Sequence, residues 1–94
     1  MYIINGVKYK EKKFDFGALA KLEECGVTMD DLKKMKKPIT LVIGLVAWVT
    51  DTDKEEATEL VNKHVENGGN LSELVSILES LKTSDFFQKA MKQE

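Results

Sequence analysis

The spacing of apolar residues along this chain predicts helices over most of its length. Two neighbouring segments carry a stripe of apolar residues, with one histidine, at intervals of three or four: Ala57, Leu60, Val61, His64 and Val65, then Leu71, Leu74, Val75, Leu78 and Leu81. This spacing places each stripe on one face of a helix. Asn67-Gly68-Gly69-Asn70 separates the two segments and supplies glycines of the kind that end helices. We therefore expect a helical hairpin with two apolar faces to bury.

The start of the chain shows the pattern of a β-hairpin instead. Tyr2-Ile3-Ile4 and Val7-Lys8-Tyr9-Lys10 flank Asn5-Gly6, which suits a type I′ turn because both central residues take positive φ. A two-residue turn places Ile4 opposite Val7 and Tyr2 opposite Tyr9. A lone hairpin is marginally stable in water, so we expect this one to pack on helices or to pair with a partner's strand.

The segment from Phe14 to Glu24 is predicted to form the first helix. Asp15 is a suitable N-cap and Gly26 a suitable stop. Its predicted apolar side comprises Phe16, Leu19 and Leu22, with Cys25 as a further candidate.

A short second helix and a long third helix follow. Thr28 can cap the second helix, which is predicted to reach about Met35. Pro38 suits the first turn of a third helix that runs to about Thr50. This third helix is apolar nearly all round, which predicts a central position in the fold.

Capping signals also mark the remaining helices. Asp53 with Glu56, and Asn70 with Glu73, have the spacing of capping boxes, and a break near residues 83–85 precedes a short last helix. The sequence therefore predicts one mainly α domain over residues 1–94. An N-terminal β-hairpin at residues 2–10 is followed by a compact bundle of five to six short helices between residues 14 and 92.

Composition and charge agree with an ordinary globular domain. The chain has 94 residues, of which 43% are hydrophobic and 32% charged, with a net charge of −2. Residues 1–37 carry a net charge of +3 and residues 38–94 one of −5. We interpret this asymmetry as two solvated faces of one domain. The alternatives are head-to-tail self-association into a homo-oligomer and an oppositely charged partner.

Several classes of partner are disfavoured by the same composition. The chain has no arginine, the preferred residue for bidentate phosphate and guanine contacts, so we expect no nucleic-acid partner. The longest apolar run, residues 39–49, is too short to span a bilayer, so we expect no membrane partner. The single cysteine and the lack of a signal-peptide pattern predict a reducing, cytoplasmic location.

No pattern of catalytic or metal-binding residues is recognisable. His64 is the only histidine, and we expect a partly buried packing residue with one hydrogen bond. Cys25 has no histidine or second cysteine nearby, and no strand or GK[ST] motif accompanies Gly68 and Gly69. We therefore expect no enzyme activity, no cofactor and no metal site.

Aromatic and methionine side chains are the candidates for contact with a partner. Trp48, Phe86, Phe87 and Met91 are of the types that contribute most to protein interfaces. Core packing is the default interpretation for Trp48. Phe86 and Phe87 are adjacent on a short terminal helix, where a small core has limited capacity to cover both.

The order of these segments resembles a known family. The hairpin segment, residues 3–9, has the pattern I-I-N-G-x-x-Y and is followed at residues 14–23 by F-D-F-G-A-L-A-K-L-E. A hydrophobic helix then begins with K-P-I-T at residues 37–40. The next segment, residues 57–74, reads A-T-E-L-V-N-K-H-V-E-N-G-G-N-L-S-E-L, and the last helix begins with S-D-F-F at residues 84–87. Over residues 2–91 this arrangement is similar to the small tail assembly chaperones of long-tailed bacteriophages and of prophages in Gram-positive bacteria.

The resemblance implies a role in virion assembly. Such chaperones bind the tape measure protein, a long, mostly helical and apolar chain, and keep it soluble until tail-tube subunits polymerise around it. It implies the tape measure protein as partner, the tail tube protein as a second candidate, and the cytoplasm of the bacterial host as location. The family provides no catalytic motif to transfer to this chain.

Two other functions are compatible with the sequence. A small phage-encoded DNA-binding protein or transcription regulator is favoured by the helix count and by the lysines at residues 33–37, but opposed by the absence of arginine. An inhibitor or antitoxin-like module would bind one partner tightly, whereas a chaperone would bind in several copies along its cargo.

Overall fold

A short hairpin and six helices follow one another along the chain. The computed structural model describes the backbone of residues 1–92 and the side chains of residues 1–90. The strands are β1 (Tyr2–Ile4) and β2 (Val7–Tyr9), and the helices are α1 (Phe16–Glu24), α2 (Met29–Lys33), α3 (Pro38–Thr50), α4 (Lys54–Glu66), α5 (Leu71–Thr83) and α6 (Asp85–Lys92). The predicted fold class, mainly α with an N-terminal β-hairpin, is confirmed.

The hairpin adopts the predicted turn and register. Asn5 and Gly6 have φ values of 52° and 78°, as a type I′ turn requires. Tyr2 pairs with Tyr9 and Ile4 with Val7. The side chains of Tyr2 and Ile4 are buried, and β1 packs against α5 and α4. The hairpin therefore packs on helices, as a marginally stable two-stranded unit requires.

Helix α3 lies at the centre, as its apolar composition predicts. It contacts α1, α4 and α5, and all its residues from Gly44 to Val49 are buried. A Cβ atom at Gly44 would lie only 2.6 Å from Leu22 Cδ2, so glycine permits α1 to approach α3 closely. Within residues 1–92, no helix combines the length and the apolar character needed to cross a bilayer.

The predicted caps account for where several helices begin. The Asp15 side chain accepts hydrogen bonds from the amides of Gly17 and Ala18 at the start of α1. Asp53 accepts one from the Glu56 amide, which is one half of the predicted capping box. Asn70 and Glu73 form the complete box at the start of α5. These local hydrogen bonds satisfy amide groups that have no partner within the helix.

The capping box of α2 predicts a pH-dependent contribution to stability. The Thr28 amide donates to the Asp31 carboxylate at 3.1 Å, and Lys37 Nζ lies 3.3 Å from the same carboxylate. The amide hydrogen bond, supported by the Thr28 hydroxyl and Lys37, lowers the pKa of Asp31 below its ordinary value. A lowered pKa in the folded state stabilises the protein above the unfolded-state pKa of about 4, and this stability disappears as the pH falls.

We expect Asp31→Asn to lower the melting temperature at pH 7 and to reduce the difference from wild type as the pH falls below about 4. Asp30→Asn is the matched control, because Asp30 is an exposed carboxylate in the same turn that pairs only with Lys34 at 3.5 Å among the described contacts. Thermal melts of the three proteins between neutral and acid pH test the expectation. An Asp31→Asn effect that stays constant across this range would contradict it.

The buried face of α1 differs from the prediction. Phe16, Leu19 and Leu22 were expected on one buried side, but Phe16 is 75% exposed and Leu19 is half-buried. The buried side chains are Ala18 and Leu22, followed by Cys25 just beyond the helix. The reason is the close approach of α3, because Gly44 contacts α1 at Leu22 and Cys25 and so selects that face.

The two apolar stripes of the α4–α5 pair are only partly buried. In α5 the buried side chains are Leu74, Ile77 and Leu81, whereas Leu71 is 60% and Val75 is 42% exposed. In α4, Val65 is 48% exposed. Gly68 ends α4 with a φ of 84°, the left-handed conformation expected of a glycine after a helix. The predicted helical hairpin is present. The α4 stripe faces the core except for Val65, whereas the buried face of α5 includes Ile77 and leaves out Leu71 and Val75.

Candidate docking groove

Helices α1 and α2 enclose an open apolar groove of about 380 Å³ on the protein surface. The apolar side chains that line it come from α1 and from the segment after it: Phe16, Leu19, Ala20, Leu22, Val27, Met29 and Leu32. Leu22, Val27 and Leu32 are at most 3% exposed and form the floor. Phe16 and Met29 are exposed and form the rim. A concave apolar surface of this kind suits apolar side chains of a partner.

A tight turn between the two helices creates the groove. Cys25 ends α1, and Gly26 takes a φ of 98° that a residue with a Cβ rarely adopts. The Val27 amide then donates to the Leu22 carbonyl at 2.9 Å, and the Gly26 amide donates to the Glu23 carbonyl at 3.0 Å. These two bonds form a Schellman motif. The motif reverses the chain so quickly that α2 begins beside the end of α1.

The last helix brings one of the predicted partner-binding residues to the rim of the groove. The rings of Phe16 and Phe86 lie 5.3 Å apart in an edge-to-face arrangement, with an interplanar angle of 85°. Phe86 and Phe87 are both half-buried and pack against the core. Of these two residues, Phe86 is the one whose ring contacts the rim of the groove, at Phe16. The side chain of Met91, the third candidate on this helix, lies outside the described residues.

Trp48 lies in the core. It is 8% exposed, and its ring stacks on Phe14 with centroids 4.7 Å apart. The Lys12 ammonium group lies 5.3 Å from the Trp48 ring centroid and donates a 2.6 Å hydrogen bond to the Trp48 carbonyl oxygen. This position agrees with core packing, the default interpretation of Trp48, and the residue does not line the groove.

His64 is more buried and better bonded than the sequence suggested. It is 1% exposed, and it makes two hydrogen bonds where one was expected. The Asn5 amide donates to Nδ1 at 2.8 Å, and Nε2 lies 2.9 Å from the Asn70 carbonyl oxygen. Because an amide N–H only donates and a carbonyl oxygen only accepts, Nδ1 accepts and Nε2 donates in this arrangement. His64 therefore connects the hairpin turn to the turn between α4 and α5.

The remaining candidates for chemistry are structural in character. Cys25 is 1% exposed, and burial raises the pKa of its thiol, which disfavours the reactive thiolate. Among the residues whose positions are described, no three His, Cys, Asp or Glu side chains are arranged to hold a metal ion. The groove between α1 and α2 is the candidate site, and most of the side chains that line it are apolar.

Sequence reasoning missed this groove because it placed Phe16 in the core. One signal was available, since Phe14 and Phe16 flank the capping residue Asp15 and lie two positions apart. Two such residues point in different directions at the start of a helix, so burial of one exposes the other. The structure buries Phe14, which is 6% exposed.

No family model matches this sequence, and no match was found among curated proteins or among solved structures.

Proposed function

We propose that this protein is a phage tail assembly chaperone that binds and solubilises the tape measure protein in the cytoplasm of the bacterial host. The observation that carries the proposal is an exposed phenylalanine, Phe16, at the rim of an apolar groove between α1 and α2. The ordered resemblance over residues 2–91 supplies the identity of the cargo. The tail tube protein is a second candidate partner.

The groove has the properties that such a chaperone needs. An amphipathic helix binds by laying its apolar face into a groove lined by apolar side chains. The groove here holds only a few side chains, because its volume is about 380 Å³. Each contact is then weak enough to be released. Several copies along one long cargo chain provide the overall affinity.

Partial pairing within the lysine cluster weakens the case for DNA binding. Lys34 lies 3.5 Å from Asp30, and Lys37 lies 3.3 Å from Asp31, so two of the positive charges at residues 33–37 face carboxylates of the same region. Nucleic-acid binding depends on unneutralised positive charge directed at phosphates. Among the described residues, no specific contact favours a single-partner inhibitor. The number of copies bound to each partner chain distinguishes such an inhibitor from a chaperone.

The proposal predicts that Phe16→Ala weakens capture of the tape measure protein at least about fivefold while the protein stays folded. Phe16 is 75% exposed, so its removal costs the core little. The cargo is the tape measure protein encoded in the same genome, co-expressed with tagged chaperone. Soluble cargo and co-purified cargo are quantified, and thermal melting reports the fold.

Leu71→Ala is the matched control, because Leu71 is also exposed, at 60%, but does not line the groove. It should leave capture unchanged. If Phe16→Ala and Leu71→Ala reduced capture of the tape measure protein equally, the groove would not be the site that binds it. Failure of the wild-type protein to co-purify with the tape measure protein would overturn the function itself. Native mass spectrometry showing one copy per cargo chain would favour the single-partner module.

A further inference from the structure

The two ends of the docking groove differ in chemistry. Phe16 stands at one end of the α1 wall, where its ring meets Phe86. Glu23 stands seven positions later on the same wall. Seven residues are two helical turns, or about 10.5 Å along the axis. An occupant lying along α1 therefore meets an aromatic surface at one end and a carboxylate two turns away.

Glu23 has the only charged side chain among the described residues that line the groove. Among the side chains of residues 1–90, no ion pair involving Glu23 is found, whereas the next residue, Glu24, pairs with Lys21 at 3.6 Å. An apolar helix laid over Glu23 would remove water from this carboxylate. Removing water from a charge is unfavourable unless an opposite charge replaces it.

We infer that the groove selects an amphipathic helix that carries an apolar side chain against Phe16 and a lysine or arginine about seven positions away against Glu23. The inference rests on the proposed function and specifies which segments of the cargo are bound. Met29, on the opposite wall, is a flexible side chain that adapts to different apolar residues between the two ends. Segments that place a carboxylate opposite Glu23 are disfavoured, because the two negative charges repel each other.

The test uses two alanine-based helical peptides of about 20 residues. Both carry a central leucine with further leucines one turn away on either side. One peptide has lysine at the positions seven residues before and seven residues after the central leucine, and the other has glutamate at these two positions. The symmetric design tests both orientations of the peptide in the groove. Fluorescence anisotropy of labelled peptides measures their affinity for the full-length protein.

We expect the wild-type protein to bind the lysine peptide about fivefold more tightly than the glutamate peptide, and Glu23→Lys to reverse this preference. Glu24→Lys is the matched control, since it makes the same charge change at the next residue outside the groove lining, and it should keep the wild-type preference. Circular dichroism verifies that both variants are folded.

The outcomes separate this inference from the proposed function. Binding of both peptides with equal affinity, or a preference that Glu23→Lys does not alter, would overturn the role of Glu23 while leaving the groove as a docking site. Failure of both peptides to bind, with capture of the tape measure protein intact, would overturn the spacing rule. If the wild-type protein did not capture the tape measure protein at all, the proposed function itself would be overturned.

Discussion

Replacing Trp48 with alanine is expected to lower the free energy of unfolding by about 3–5 kcal/mol. The substitution removes the largest side chain of the buried helix α3 and leaves a cavity beside Phe14, whose ring stacks on Trp48 at 4.7 Å. It also removes the aromatic face near the Lys12 ammonium group. Urea denaturation followed by circular dichroism measures the change.

Ile39→Ala provides a control for Trp48→Ala within the same helix. Ile39 is 74% exposed, whereas Trp48 is 8% exposed, so the control should change stability by no more than about 0.5 kcal/mol. A Trp48→Ala protein with wild-type stability but impaired capture of the tape measure protein would show that Trp48 is a partner contact. That result would overturn its assignment to the core.

The second large effect is expected for His64→Ala, which should reduce stability by about 3–5 kcal/mol. Truncation leaves the Asn5 amide without its acceptor, at a site where the imidazole is 1% exposed. The Asn70 carbonyl loses the hydrogen bond from His64 and keeps the one from the Glu73 amide at 3.1 Å. It also opens a cavity between β1, α4 and α5. The loss therefore combines one unsatisfied amide, a lost hydrogen bond at the Asn70 carbonyl and lost packing.

Two measurements identify the cause of the His64→Ala effect. Amide hydrogen exchange should show faster exchange at Asn5, because its hydrogen bond to Nδ1 is lost. Val65→Ala is the control, since Val65 is the next residue along α4 and is 48% exposed, and its effect on stability should be small. Unchanged stability and unchanged Asn5 exchange in His64→Ala would contradict the described arrangement.

Features that depend on neighbouring residues were predictable from the sequence. The Asn5-Gly6 turn, the cap at Asp15 and the box of Asn70 with Glu73 are all present where local patterns placed them. Turns and caps are closed by residues two to four positions apart, so their signal is contained in short segments. The central position of α3 was equally predictable, because a helix that is apolar nearly all round has to be covered on all sides.

The candidate site was less predictable than the fold. The sequence identified Phe86 and Phe87 as residues that a small core has limited capacity to cover, and both are half-buried. It did not identify Phe16, which is more exposed than either and forms the rim of the groove. The reason is that periodicity reports which residues of a helix share a face, but it does not report which face a neighbouring helix covers.

The hairpin, the helices and most of their boundaries thus follow from local sequence, since these depend on interactions between residues close together in the chain. The rotation of α1 depends instead on packing, because Gly44 of α3 lets that helix approach Leu22 and so leaves Phe16 outside. Packing likewise brings His64 to its hydrogen-bond partner Asn5, which lies 59 positions away in the chain. Such long-range contacts arise from the packing of whole helices, and packing depends on shape across the molecule rather than on any local pattern.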